Sequence, residues 1–152
     1  MIYVRNILYP TDFSSYSNQA YLHAVALAEV HNASLTIVYV YQGPTEGGRE
    51  AGEERRYWRS QLEQIRPTNP DIPVNHVFLE GDPATEIVQY AKDANIDQIV
   101  MGTHGRTGVD RLLMGSVAEK VMRDAPCSVM VVKLPKGQPG PARPDLELTA
   151  SR

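Results

Sequence analysis

Cysteine is nearly absent: Cys127 is the single one in 152 residues. No intrachain disulfide can form, so a packed core must hold the fold, and a reducing cytoplasm is the expected setting. A basic excess is missing too. Fifteen Lys and Arg stand against eighteen Asp and Glu, for a net charge of −3, which excludes the positive footprint of a nucleic-acid binder. No uninterrupted apolar run is long enough to span a bilayer, so no membrane partner is expected. The segment Met1–Tyr9 lacks the basic region, apolar stretch and cleavage site of a secretory signal. The sequon Asn32-Ala33-Ser34 therefore reads as a chance match. Several catalytic signatures are lacking as well. There is no G-x4-G-K-[ST] phosphate loop, no G-x-S-x-G elbow and no H-E-x-x-H helix. His23, His31 and His76 show no metal-ligand spacing with one another or with Cys127. No catalytic residue and no metal ligand can be named from the sequence.

What is present describes one ordinary globular domain, with 42% apolar and 22% charged residues. Apolar, β-branched runs at Ile2–Leu8, Leu35–Tyr41, Val74–Leu79, Ile96–Met101 and Ser128–Val132 predict five strands. Apolar residues stand at consecutive positions in several of them, the habit of parallel strands buried on both faces. Helical patterns fill the gaps. Ala20, Ala24, Leu27 and Ala28 share one face, with Asn32 as C-terminal cap. Ala51, Trp58, Leu62 and Ile65 form a second stripe, stopped by Pro67. Asp82-Pro83 reads as a cap followed by proline at the first helical position, and Ala84, Ile87, Val88 and Ala91 as the buried face behind it. Ser116-Val-Ala-Glu119 has the form of a capping box before a last helix that Pro126 closes.

Strand and helix alternate throughout. That order predicts an α/β, doubly wound domain over residues 1–134, a five-stranded parallel sheet with helices on both faces. Ligands of such sheets bind past the carboxyl ends of the strands, where the strand order reverses. Gly43–Gly48 reads as a mobile loop. Residues 135–152, rich in proline, read as a disordered tail.

The segment after the fourth strand carries the chemistry. Gly102, Gly105 and Gly115 are spaced G-x2-G-x9-G, and Ser116 follows at once. Glycines at those offsets arise by chance in roughly one chain in twenty of this length. Their setting adds force, because a strand precedes them and a helix start follows. Glycine allows close backbone approach, and a helix start offers unpaired N–H groups at a positive dipole end. Together these describe a phosphate cradle. Plainer roles stand beside this one. Ser116 serves equally as a cap, Asp12 as the cap region of the first helix, and Arg106 and Arg111 as surface charge. Cys127 reads as inert packing, and Tyr57 and Trp58 as helix core and rim.

At this point the chain resembles the universal stress protein family, over residues 2–133. Ile7-Leu-Tyr-Pro-Thr-Asp-Phe-Ser14, Gly81-Asp-Pro83, Gly102-Thr-His-Gly-Arg-Thr-Gly108 and Gly115-Ser-Val-Ala-Glu119 carry the likeness. The resemblance implies strand order 3-2-1-4-5 and, because the glycine signature is complete, the branch that binds ATP. It implies the following roles. Gly102 and Gly105 lie against ribose and phosphates. Gly115, Ser116 and Val117 present N–H groups. Asp12 meets the ribose hydroxyls or a phosphate-bound Mg²⁺. Pro10 and Thr11 wall the adenine, Val40 offers it main-chain groups, and Met101 packs on the base. His104 and Arg106 flank the phosphates. It also implies a homodimer paired through the last strand, Ser128 to Val132, an apolar edge that invites pairing.

The sequence shows no group that must position an attacking water. The expected function is therefore an ATP-binding, nucleotide-dependent stress-response or signalling module with little or no catalysis and an unidentified signalling partner. A slow ATPase or autophosphorylating enzyme is the first alternative, and a nucleotide-free structural dimer module the second.

Overall fold

The computed structural model describes residues 3–44, 47–103 and 114–133. His104, Gly105, Arg106 and Arg111, the proline-rich tail and the middle of the loop at 43–48 lie outside them. The described strands are β1 (Asn6–Pro10), β2 (Ser34–Tyr41), β3 (Val74–Glu80), β4 (Gln98–Gly102) and β5 (Ser128–Val132). The described helices are α1 (Ser15–His31), α2 (Arg49–Glu63), α3 (Pro83–Asp93) and α4 (Ser116–Asp124). All strand pairs are parallel, in the order β3-β2-β1-β4-β5 expected above.

The sheet divides the core into two layers. Ile7, Tyr9, Leu35, Ile37 and Val100 face α1 and α2, with Ala20, Ala24, Ala28 and Leu62 packed on them. Leu8, Val38, Val40, Ile99 and Met101 face α3 and α4, against Ala84, Ile87, Val88, Ala118 and Val121. Side chains alternate between faces along each strand, so consecutive apolar residues fill both layers. Each fully buried Ile or Leu contributes about 1.5–3 kcal/mol of hydrophobic stabilisation. Alanines at one-turn spacing let α1 lie close on the sheet. Tyr16 and Ser17 complete its buried face, whereas Leu27 is only half-buried.

Caps follow the sequence in two helices. Asn32 adopts the left-handed conformation (φ 54°) that ends α1. Asp82 caps α3 by accepting from the Thr85 amide at 3.0 Å, with Pro83 behind it. Three expectations need correction. β1 starts at Asn6, not Ile2, because its ladder partners begin at Ser34 and Gln98. There Asp97 Oδ2 accepts the amides of Arg5 and Asn6, both at 2.9 Å. β4 likewise runs from Gln98, and Ile96 sits in the preceding turn. The third correction concerns Ser116: Gly115 is the N-cap of α4, no side chain caps it, and the Glu119 amide goes to the Gly115 carbonyl at 3.0 Å. Ser116 is thus the first helical residue and makes no capping box.

Candidate nucleotide site at the sheet's switch point

β1 feeds a connection toward β2, and β4 feeds one toward β5, so the strand order reverses between β1 and β4. Pro10 sharpens that gap. Thr11 donates to Val38 at 2.8 Å, which fixes the odd residues of β1 as those that hydrogen-bond β2. The main chain of Pro10 therefore faces β4, and it has no N–H to give. The β1–β4 ladder stops at Leu8 and Ile99, and the sheet parts beyond. Gly102 ends β4 on the same crevice. By the same alternation the amide and carbonyl of Val40 point toward β1 at a level that β1, paired only as far as Val38, no longer occupies.

The chain leaves β1 through a tight turn. Phe13 takes a left-handed conformation (φ 66°), costly for a bulky residue. Its buried ring offsets the strain by packing on Tyr39 and Trp58, at centroid distances of 4.9 and 5.1 Å. Thr11 Oγ1 accepts the Phe13 amide at 3.0 Å, and Asp12 Oδ1 accepts the Ser14 amide at 3.0 Å. Ser14, rather than Asp12, caps α1: its hydroxyl accepts from the Ser17 amide at 3.2 Å. Asp12 therefore sits half-buried at the mouth of the crevice, braced by the turn.

The glycine segment is anchored at both ends. The Thr103 amide donates to Val132 at 3.1 Å, and the Thr103 carbonyl accepts the Gly115 amide at 2.7 Å. These bonds bring the start of α4 back to the end of β4. The amides of Ser116, Val117 and Ala118 precede the first intrahelical bond, so they and the helix dipole present a positive end there. Ser116 is exposed and Val117 half-buried.

Thus Pro10, Val40 and Met101 carry their side chains on the face that α3 and α4 cover, and α4 opens on that face. Thr11 and Gly102 turn toward α1. A Cβ on Gly102 would lie 2.7 Å from the Tyr16 carbonyl oxygen and 3.1 Å from the Ser17 nitrogen. That glycine is required by helix packing, whatever else approaches it. Asp82, Thr85 and Lys120 form a polar link between α3 and α4 that has no pattern of its own in the sequence. Lys120 Nζ reaches Thr85 Oγ1 at 3.0 Å and Asp82 Oδ2 at 3.6 Å. Hydrogen bonds from Thr85, with Lys120 adding to them, hold the Asp82 carboxyl below its ordinary range. Only the capping motif hinted at it, since partners on different helices leave no local pattern. Burial pushes the Tyr9 hydroxyl far above its ordinary value, and it donates to the Ser17 carbonyl at 2.7 Å. It stays protonated and structural. Among the described residues no group of three or more His, Cys, Asp or Glu could hold a metal ion, and no helix is long and apolar enough to cross a membrane.

The universal stress protein family model matches residues 4–133, nearly all of the described chain. This chain belongs to the universal stress protein family. A universal stress protein of Methanocaldococcus jannaschii is 38% identical over 142 residues, covering 87% of this chain and 84% of that protein. Among solved structures, the universal stress protein UspA of Lactobacillus plantarum superposes with a TM-score of 0.72 at 28% identity, over 88% of this chain and 100% of that one. A universal stress protein of Archaeoglobus fulgidus, solved in complex with dAMP, shares the fold with a TM-score of 0.62 at 22% identity. It covers 88% of this chain and 100% of that one.

Proposed function

We propose that this universal stress protein binds ATP, with Mg²⁺, in the crevice between β1 and β4 and acts as a nucleotide-dependent stress-response module with little or no catalysis. One observation carries the reading. The glycine-rich segment begins at the open end of β4 and returns, through the Thr103–Gly115 hydrogen bond, to a helix start whose first amides have no partner among the described residues. The complex of the Archaeoglobus relative with dAMP speaks for that protein, and at its level of identity the likeness bears on fold alone. The nucleotide reading therefore rests on this chain's own residues. Val40 and Met101 would receive the base. Pro10 and Thr11 would flank it, and Asp12 would meet ribose or Mg²⁺. Gly115, Ser116 and Val117 would hold phosphate, with Gly102, Gly105, His104 and Arg106 completing the surround. Isothermal titration of folded protein with Mg-ATP should give a dissociation constant in the micromolar range or tighter. No heat of binding overturns the proposal.

A second reading has one observation in its favour. Ser116 is exposed and has no capping duty, so its hydroxyl is available to receive a phosphoryl group from ATP. Intact mass measured after incubation with ATP should show no added phosphate if the first reading holds, and an added phosphate, mapped by peptide fragmentation to Ser116 or a nearby Thr, if the second does. We further propose that two copies pair through β5, the edge strand of the sheet. Sedimentation equilibrium should report twice the chain mass, and a monomer at high concentration overturns that part. We also propose a cytoplasmic setting, because a lone cysteine suits a reducing compartment.

A further inference from the structure

A nucleotide site of this form has two ends on different elements. Its base end is at β2 and β4, and its phosphate end at the start of α4. Something must set the distance between them, because misplacing a binding group by about 1 Å removes much of its benefit. The Gly115–Thr103 hydrogen bond ties the head of α4 to β4, but one bond fixes a point and not the direction of the helix, and the apolar packing of α4 is thin for that purpose. Only Ala118 and Val121 are buried on it.

The turn after β3 touches both ends. Gly81 donates its amide to the Tyr41 carbonyl at 3.0 Å, one residue beyond Val40. Its φ of 135° is open to glycine alone among ordinary residues. The next residue, Asp82, accepts from Thr85 through both the amide (3.0 Å) and the hydroxyl (2.7 Å). Lys120, one turn into α4, closes on this pair at 3.0 Å from Thr85 Oγ1 and 3.6 Å from Asp82 Oδ2. One polar chain thus runs from the end of β2 to the first turns of α4.

We propose that Lys120, bridged to Asp82 and Thr85, is a positioning residue: it fixes the start of α4 against the turn after β3 and so sets the phosphate end of the site relative to the base end. The inference rests on the ATP reading given above. It makes no use of direct contact between Lys120 and the nucleotide. The pair is substantially exposed, with Lys120 at 42% and Asp82 at 62% side-chain exposure, so its effect is geometric and modest rather than a large source of stability.

The test is calorimetric titration of the full chain with ATP and, separately, adenosine. Lys120→Met should weaken ATP about three- to fivefold and leave adenosine unchanged. Lys120→Arg should restore most of the loss. Asp82→Asn, which keeps a capping oxygen and Lys120 itself, should give a similar loss, and the double variant should add little to either single one. Unchanged ATP affinity in Lys120→Met overturns the proposal. So does a parallel fall for ATP and adenosine, which marks a general loosening of the fold. An unaffected Asp82→Asn beside a weakened Lys120→Met also overturns it, because Lys120 would then be touching the nucleotide. Wild-type protein that binds no ATP defeats the site reading itself, and this inference with it.

Discussion

The Gly115 amide donates to the Thr103 carbonyl at 2.7 Å, while the amide of the same Thr103 donates to Val132. Thr103 therefore holds three elements at one point: the end of β4, the end of the edge strand β5 and the start of α4. Whatever orders the segment between Thr103 and Gly115 acts on a base that is already tied to the sheet. That arrangement makes the two flanking glycines separable, because they meet different neighbours.

Gly102 answers to the fold. An alanine methyl would sit 2.7 Å from the Tyr16 oxygen and 2.8 Å from its carbonyl carbon, both backbone atoms that cannot rotate aside. Gly102→Ala should destabilise the protein by about 1–3 kcal/mol, the usual cost of overpacking. Thermal unfolding followed by circular dichroism should show Tm lower by about 2–4 °C for each kcal/mol. A variant as stable as the wild type would mean that α1 yields more easily than its packing implies.

Gly115 is expected to answer to the ligand. Its φ of −67° and ψ of 156° suit any residue, so backbone strain gives no reason for glycine there. Gly115→Val should lower stability by no more than about 1 kcal/mol and weaken ATP about tenfold or more. Unfolding curves and titrations on the same sample check both halves. Unchanged affinity with a large loss of stability would assign Gly115 to the fold and favour the structural-module alternative.

These two positions show what a sequence can and cannot display. Leu35–Tyr41 announced a parallel sheet because burial on both faces leaves apolar residues in a row, and the one-turn alanines of α1 announced a helix on it; Val129-Met-Val-Val132 has the same run, but at the sheet edge only Val132 is buried. Asp82-Pro83 announced a helix start because the cap and its proline are adjacent. Ser116-Val-Ala-Glu119 misled for the same local reason: the pattern fits a capping box, but the tether from Gly115 to Thr103 makes Gly115 the cap. Pairing set the start of β1, and pairing depends on strands far along the chain. The left-handed Phe13 and the Lys120 link depend on contacts across elements and have no signature in a single segment. The crevice residues Pro10, Val40 and Met101 were legible only through resemblance. The alternation of the strands then puts their side chains on one face.

The capped start of α3 has a pH signature. Thr85, and secondarily Lys120, hold the Asp82 carboxyl below its ordinary range, so its folded value lies under the unfolded one of about 3.9. The stabilisation is fully present above that unfolded value and is lost as pH falls through the folded one. Asp82→Asn should therefore be slightly less stable than wild type at neutral pH, by about 0.5 kcal/mol. The gap should narrow in acid, as pH falls through the folded value. Urea unfolding at neutral and at acid pH checks it, and a gap that widens in acid contradicts the assignment.

Cys127 precedes β5 and is half-buried. Burial first, and the charge of Asp97 second, push its thiol above the ordinary value. The Asp97 carboxylate is held in place by the amides of Arg5 and Asn6, so that negative field is fixed rather than a passing one. Thiolate is the reactive form, and raising the pKa lowers its share at neutral pH. Folded protein at pH 7 should react with a disulfide reagent such as DTNB about tenfold or more slowly than protein in denaturant. Asp97→Asn should quicken the folded-state reaction, because removing the charge favours the thiolate. A thiol that reacts equally fast in folded and unfolded protein would show that the strand end opens freely, and with it the β4–β5 contact that carries Thr103.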